Sequence, residues 1–285
     1  MAEKVIITSD STTDLSPELR QRYNVVVMPL VVSLNDVNHL DGVDITPEDI
    51  YRNYAANKTL PKTAAPNLAD CASFFRQFTD QGYSVVHFTI SSEMSSTYQN
   101  SVIAAEDFEN VYVVDSRNLS TGGGLLVIHA AELAARGMKA AAIAEECRRL
   151  APCVDASFVI DSLEFLHKGG RCSTVAMLGA NLMNFKPCIV VKNGAMSVGN
   201  KYRGKYDQVL LKYIEDRVGD ASDIIKDHVF ITHAGCDDAV VDACVAKLKT
   251  LGEFPNIHVT RAGCTVSSHC GRNTLGVLFI RNHAI

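Results

Sequence analysis

The sequence predicts a two-lobed α/β protein, with a largely parallel sheet flanked by helices in residues 1–152 and a mixed α/β lobe in residues 153–285. Strand patterns rich in Val and Ile alternate with helix patterns in the first half, which is typical of a parallel sheet covered on both faces. The second half contains the segment VVKNGAMSVG, whose Asn-Gly pair is typical of a hairpin. A chain of 285 residues also exceeds what one core usually serves, so we expect two lobes.

The elements of the first half follow from periodicity and from helix start signals. Ser16 and Thr46 are expected N-caps, because each precedes a proline at the first helical position. The predicted strands are KVIITSD, VVVMPLVVSL, YSVVHFTI and NVYVVDS. The predicted helices are SPELRQRY, TPEDIYRNYAAN, NLADCASFFRQFTDQG, the segment that begins near Tyr98, and LLVIHAAELAARG.

The pattern changes near Pro152, where we place the boundary between the lobes. The strands predicted after it are ASFVIDS, the hairpin PCIVVKNGAMSVGNKYR, HVFITHAG, IHVTRAG and TLGVLFIRN. Two helices, QVLLKYIEDRV and VVDACVAKLKTL, lie between some of these strands. This mixture predicts some antiparallel pairing in the second lobe.

Composition excludes several classes of protein. The net charge is −5, from 27 basic and 32 acidic residues, which argues against a general nucleic-acid binder. No apolar run is long enough to span a membrane, and the first residues show no signal-peptide pattern. The nine scattered cysteines form no CxxC pair, so we expect reduced core thiols, no zinc ribbon and a cytoplasmic protein.

Hydroxyl side chains collect where predicted strands end, which is where α/β sheets bind ligands. In TSDSTTDLSPE, Asp10 and Ser11 could support a ligand pocket, whereas Asp14 and Ser16 are expected to make turns and caps. In PKTAAPN, two prolines are expected to stiffen a loop that presents Thr63. A plain proline loop explains that motif equally well.

The segment HFTISSEMSSTYQN carries four serines and a threonine between a predicted strand and a helix. Ser92 or Ser95 could simply cap the helix, but one serine would suffice for that task. Hydroxyls around a helix N-terminus also suit a carboxylate or a phosphate. The excess of hydroxyls favours an anion site.

Two further segments, HKGGRCS and SSHCGRN, carry basic side chains. The two glycines of the first are expected to form a tight turn that aims Lys168 and Arg171. His269 is expected in a polar loop before the last strand, where a purely structural role explains a histidine less well. The segment STGGGLL lacks the Lys of a phosphate loop, so its glycines are expected to allow close helix packing.

Several of these motifs together resemble the DegV family of bacterial fatty-acid-binding proteins. The resemblance covers nearly the whole chain and rests on TSDSTTDL, PKTAAPN, ISSEMSSTYQNS, VVDSRNLSTGGG, SLEFLHKGGRCS, KPCIVVKNG and SSHCGRNTLG, in this order. It implies a long-chain fatty acid in an apolar tunnel between the lobes, with no catalytic residue, metal or other cofactor. It also implies a fatty acid kinase as partner, which phosphorylates the presented acid to an acyl phosphate, and it allows transient membrane contact.

The resemblance also implies roles for particular residues. The carboxylate-binding residues would be Thr63 and Ser95, with Ser92 as the second choice. Arg171 and His269 would flank the head group, and Arg203 with Arg171 would face the kinase. The chain departs from the family pattern in four places, which involve Ala64, Ala65, Asn67, Ser96, Phe185, Cys270, Arg272 and Asn273. The two alanines thin the polar network of the head group, and Arg272 is a candidate replacement.

Two enzyme classes stand as alternatives. Ser95 and His269 could serve a hydrolase, although the chain has no G-x-S-x-G elbow and no evident third member of a triad. A nucleotide-dependent phosphotransferase would use a similar fold, but no Walker motif or metal-binding carboxylate cluster is present.

Overall fold

The computed structural model describes residues 3–172 and 185–285. The first half contains a four-stranded parallel sheet, whose strands in spatial order are β2 (Val25–Met28), β1 (Lys4–Asp10), β6 (Tyr83–Thr89) and β7 (Val111–Asp115). The central strand β6 is buried on both faces, with Val85, Val86 and Phe88 at 0% exposure. This burial explains its continuous apolar run.

A small antiparallel sheet lies beside the first, in the order β4 (Val37–Leu40), β3 (Val31–Leu34), β5 (Lys62–Ala64). The prediction of one strand over VVVMPLVVSL was wrong, because Pro29 has no N–H to continue the ladder. The amide of Leu30 instead donates to Ser11 Oγ at 3.1 Å. Thr63 also lies on a strand, opposite Val32, rather than on a proline loop.

The second half forms a six-stranded mixed sheet, in the order β10 (Ala195–Tyr202), β9 (Lys186–Lys192), β8 (Val154–Ile160), β13 (Thr274–Arg281), β11 (Ile224–Ala234), β12 (Ile257–Arg261). Only β11 and β12 pair in parallel among these described strands. The predicted hairpin joins β9 to β10, and Asn193 and Gly194 have the positive φ values that a type I′ turn requires. The predicted fold class is therefore confirmed.

Helices flank these sheets. They are α1 (Pro17–Arg22), α2 (Pro47–Asn57), α3 (Leu68–Thr79), α4 (Thr97–Ala105), α5 (Thr121–Ala135), α6 (Ala140–Leu150), α7 (Glu164–Gly169), α8 (Tyr206–Val218), α9 (Asp238–Leu251) and α10 (Cys264–Cys270). The expected caps are present, since Ser16 accepts from the amide of Leu19 and Thr46 forms a capping box with Asp49. The sequence did not predict the short helices α7 and α10.

Helix α5 packs against β1 and also against β8 and β13, so it joins the sheets of the two halves. A Cβ atom on Gly124 would lie 2.9 Å from both Leu15 Cδ2 and the carbonyl oxygen of Thr13. Only a glycine permits that approach without a shift of its neighbours. The expectation that these glycines allow close helix packing is confirmed.

Eight of the nine cysteines are buried, as expected of core residues. Burial raises the pKa of Cys147 and of Cys270 to about 12, so both remain thiols at neutral pH. Across residues 3–172 and 185–285, no helix has the length and apolar character to cross a bilayer.

Candidate functional site

A cavity of about 310 Å³ lies where segments from the two halves of the chain meet. Its polar lining residues are Thr63, Ser95, Ser96, Arg171, Thr265 and His269. Its apolar walls include Leu30, Ile90, Met94, Leu119, Met196 and Val266. The lining comes from both sides of Pro152, so neither half of the chain forms the cavity alone.

The polar side of the cavity brings together two segments that are distant in the sequence, PKTAAPN and SSHCGRN. Thr63 Oγ1 and His269 Nε2 lie 2.9 Å apart, although 206 positions separate the residues in the chain. The prediction that His269 lies in a loop was wrong, because it lies in the last turn of α10. That helix begins where the Asp41 carboxylate accepts from the amides of Cys264 at 2.7 Å and Thr265 at 3.0 Å.

Asp41 is a residue that sequence reasoning missed. No local pattern near Cys264 reveals it, because the acid lies 223 positions earlier in the chain. Ser11 supports it, since its hydroxyl donates to Asp41 at 3.0 Å and accepts from the amide of Leu30. Ser11 is not among the lining residues of the cavity, so its visible contribution is to hold the cap of the helix that carries His269.

Two more buried acidic side chains position the loops around the cavity. Asp10 accepts from the amide of Ile90 at 2.7 Å, and Asp14 accepts from the amide of Gly263 at 2.8 Å. Burial raises the pKa of Asp10 to about 6 and that of Asp14 to about 8. The nearby charge of Asp41 adds to both shifts.

The serine-rich segment places one candidate serine at the cavity and another outside it. Ser95 lines the cavity just before α4, and its Oγ accepts from the amide of Thr97 at 3.2 Å. The N-cap itself is Ser96, whose side chain makes no capping bond, so Ser95 satisfies the first amide of the helix while it faces the site. Ser92 is exposed, lies outside the lining and accepts from the Arg117 guanidinium at 3.3 Å.

Arginines are distributed unevenly around the site. Arg171 lines the cavity, is exposed, and donates to the carbonyl of Gly169 at 2.7 Å. Arg203 is exposed just after β10 and does not line the cavity. Arg272 donates to a main-chain carbonyl, that of Gly235, and is also absent from the lining.

Arg272 therefore does not restore the polar character lost at Ala64 and Ala65, both of which do line the cavity. The expectation of a compensating arginine at this site is wrong. The reason is that Asn273 donates to the carbonyl of Ala234, which fixes this loop beside β11.

The electrostatics of the site favour a neutral His269. Burial, followed by the positive charge of Arg171, lowers the pKa of His269 to about 4. Its Nδ1 is buried and has no hydrogen-bond partner among the described residues. A neutral ring protonated on Nε2 would donate to Thr63 Oγ1, which leaves the Thr63 hydroxyl proton for an anion.

A narrower cavity of about 30 Å³ shares Leu119, Val266 and Cys270 with the first. Its further walls come mainly from the six-stranded sheet and include Ala156, Phe158, Ala234 and Leu278. The apolar space thus continues away from the polar side. The Ala-, Leu- and Met-rich segment VAMLGANLMNF lies outside the described residues except for Phe185.

This geometry does not support a Ser-His hydrolase. His269 contacts Thr63 rather than Ser95, and Ser95 Oγ lies 2.9 Å from Thr97 Oγ1. No carboxylate orients the free nitrogen of His269 in the part of the chain that the structure describes. The same described ranges contain no cluster of three or more His, Cys, Asp or Glu residues suited to a metal.

The chain thus combines an α/β fold with a cavity whose lining is partly polar and partly apolar, which is the kind of surface that an amphipathic ligand requires. A family model described as "Uncharacterised protein, DegV family" matches residues 4–282, so the chain belongs to the DegV family. It is 28% identical over 280 residues to a DegV domain-containing protein of Caldanaerobacter subterraneus, which covers 97% of this chain and 99% of that relative.

Two solved structures are also similar. One describes fatty acid binding of a DegV family protein from Thermus thermophilus, at 29% identity and a TM-score of 0.88, over 98% of this chain and 99% of that chain. The other is a stearic-acid-binding protein from Eubacterium ventriosum, at 26% identity and a TM-score of 0.82, over 97% and 98% of the two chains.

Proposed function

We propose that this protein binds a long-chain fatty acid in the cavity, with the carboxylate held by Thr63 and Ser95. The observation that carries the proposal is that these two hydroxyls line the same cavity as a group of apolar side chains, namely Leu30, Ile90, Met94, Leu119, Met196 and Val266. The fatty acids named for the structures from T. thermophilus and E. ventriosum support the same class of ligand.

The energetics of such a site are adequate. Each buried CH₂ group contributes roughly 0.8 kcal/mol, so an acyl tail in the apolar space supplies most of the affinity. A hydrogen bond to the charged carboxylate adds about 1.5–3 kcal/mol and sets the orientation of the acid. The costs of association reduce the total but leave room for tight binding.

We further propose that the protein presents the acid to a fatty acid kinase. Arg171 is exposed on the polar side of the cavity, where its guanidinium could stabilise a transferred phosphoryl group. The carboxylate is already ionised at neutral pH, so the reaction needs no general base from this chain. The protein would then act as a carrier for the acyl phosphate and would have no catalytic residue, and Arg203 would face the kinase.

The direct test is extraction of the purified protein with organic solvent, followed by mass spectrometry. A stoichiometric long-chain acid is the expected result. Protein that contains none, and that also takes up none from added oleate or stearate, contradicts the proposal.

A second experiment tests the head-group assignment. The variant Thr63→Val/Ser95→Ala loses two donors to the carboxylate, so its affinity should fall at least tenfold while the fold persists. Ser92→Ala is the matched control, because this serine belongs to the same segment but lies outside the cavity. Equal affinity of the double variant and the control would move the carboxylate elsewhere.

A further inference from the structure

A buried hydroxyl in the cavity wall, that of Thr265, has no hydrogen-bond partner among the residues that the structure describes. Thr265 is 6% exposed and lines the cavity, yet its Oγ1 makes no hydrogen bond to any described residue. Two other hydroxyls of α10 are satisfied within the chain, since Ser267 donates to the carbonyl of Ala262 at 3.2 Å and Ser268 to that of Cys264 at 2.7 Å. An unpaired buried hydroxyl lowers the stability of the fold, so a polar group of the bound ligand that pairs with Thr265 would remove this cost.

The position of Thr265 tells where that partner would lie. Thr265 and His269 are four residues apart on α10, so their side chains share one face about one turn, roughly 5.4 Å, apart. The amide of Thr265 is fixed by Asp41, which holds the residue in place. Thr265 therefore lies a few carbon–carbon bonds along an acyl chain whose carboxylate sits beside Thr63 and His269.

We infer that the site prefers a fatty acid with a hydroxyl group close to its carboxylate, and that Thr265 pairs with that hydroxyl. This inference rests on the proposed function. A threonine hydroxyl both donates and accepts, which matches the donor and acceptor character of an alcohol. Sequence reasoning missed this residue, and the only available signal was a hydroxyl between the apolar residues Cys264 and Val266.

The hydroxyls that line the narrow cavity already have partners within the chain. Ser120 donates to Asp14, Ser157 Oγ lies 2.9 Å from the Tyr213 hydroxyl, and Thr274 donates to the carbonyl of Cys270. The hydroxyl of Thr232, which lines that cavity, already lies 2.6 Å from that of Thr121 and 3.0 Å from that of Thr260. A distal hydroxyl on the ligand would compete with these bonds or remain unpaired. The preference is thus specific to the carboxyl end.

The test measures affinities of palmitic acid, both enantiomers of 3-hydroxypalmitic acid, and 12-hydroxypalmitic acid by calorimetry. The wild-type protein should bind one 3-hydroxy enantiomer about tenfold more tightly than palmitic acid, and the 12-hydroxy acid more weakly. Thr265→Val should lose this preference because it keeps the shape but removes the hydroxyl. Thr265→Ser should keep it.

Equal affinity of wild-type protein for palmitic and 3-hydroxypalmitic acids would overturn the inference and leave the proposed function intact. If Thr265→Val lowered the affinities for palmitic and 3-hydroxypalmitic acids by the same factor, the inference would also be overturned, because Thr265 would then contact the carboxylate that both acids share. If the wild-type protein bound no acid at all, the proposed function itself would fail. Ligand-free Thr265→Val should unfold at the same denaturant concentration as wild type or a higher one, since it loses no hydrogen bond.

Discussion

Gly169 controls the position of His269, and a single added methyl group should displace it. Gly169 is the last residue of α7, and a Cβ atom there would lie 2.4 Å from His269 Nδ1. Ordinary contact begins at 3.4 Å, so the ring must retreat by about 1 Å. The backbone of Gly169 is not in the left-handed region, and alanine is otherwise favoured in a helix by up to about 1 kcal/mol.

The magnitude follows from these distances. A retreat of about 1 Å from Gly169 pushes the opposite side of the ring, which carries Nε2, towards Thr63. The hydrogen bond between His269 Nε2 and Thr63 Oγ1, 2.9 Å in length, therefore cannot keep its geometry unless Thr63 also moves. Loss of that bond costs about 0.5–1.5 kcal/mol, and overpacking typically costs about 1–3 kcal/mol. Gly169→Ala should therefore lower the free energy of unfolding by about 1–3 kcal/mol.

The assay is urea unfolding, followed by circular dichroism, of four proteins: wild type, Gly169→Ala, His269→Ala and the double variant. In the His269→Ala background the ring that the added methyl group would contact is absent. Gly169→Ala should then leave the free energy of unfolding unchanged or raise it by up to about 1 kcal/mol. If alanine at 169 destabilises both backgrounds equally, the ring contact is not the cause and the reasoning is refuted.

Three further predictions concern protonation and the proposed kinase. Burial lowers the pKa of His87 to about 3 and that of His269 to about 4, so neither should titrate between pH 6 and 8 by NMR; a midpoint above 6 would contradict this. Because both values lie below the ordinary 6.5, the two histidines should reduce the free energy of unfolding as pH falls from 6.5 towards 4. The raised pKa of Asp14, about 8, changes stability in the opposite direction with pH. Because the folded state prefers the protonated acid, the free energy of unfolding should fall as pH rises from 4 through 8. Asp14→Asn should lack that part of a pH series of urea unfolding, and a parallel decline in both proteins would exclude Asp14 as its source. With a fatty acid kinase, Arg171→Ala and His269→Ala should slow acyl phosphate formation more than they weaken fatty acid binding. An esterase or ATPase activity of the isolated protein that disappears in His269→Ala would instead indicate an enzyme.

The regular elements were predictable because their signals are local. The apolar run of β6 reflects burial on both faces, and the caps at Ser16 and Thr46 lie next to the helices that they start. Helix α10 was missed because Asp41, which caps its first amides, is remote in the sequence. The prediction of one continuous strand through Pro29 was wrong because the apolar pattern continues past Pro29, whereas the hydrogen-bond ladder is interrupted there.

The site was predictable to the extent that its polar side chains lie within or next to regular elements. Thr63, Ser95, Arg171 and His269 all line one cavity. Ser92 does not line the cavity. The sequence could not distinguish it from Ser95, because a cluster of serines does not tell which hydroxyl faces inward. That choice depends on the path of the chain before α4, where the amides of Met94 and Ser95 both donate to the carbonyl of Ser91.

The contact between Thr63 and His269, across 206 positions, has a consequence for the lifetime of the protein. A site assembled over such a span exists only when the whole chain is folded, so an occupant stabilises every part of it at once. Free ligand at a hundred times Kd would add about 2.7 kcal/mol and reduce the unfolded fraction about a hundredfold. Since proteases act on unfolded chains, the abundance of this protein should rise and fall with the supply of its ligand.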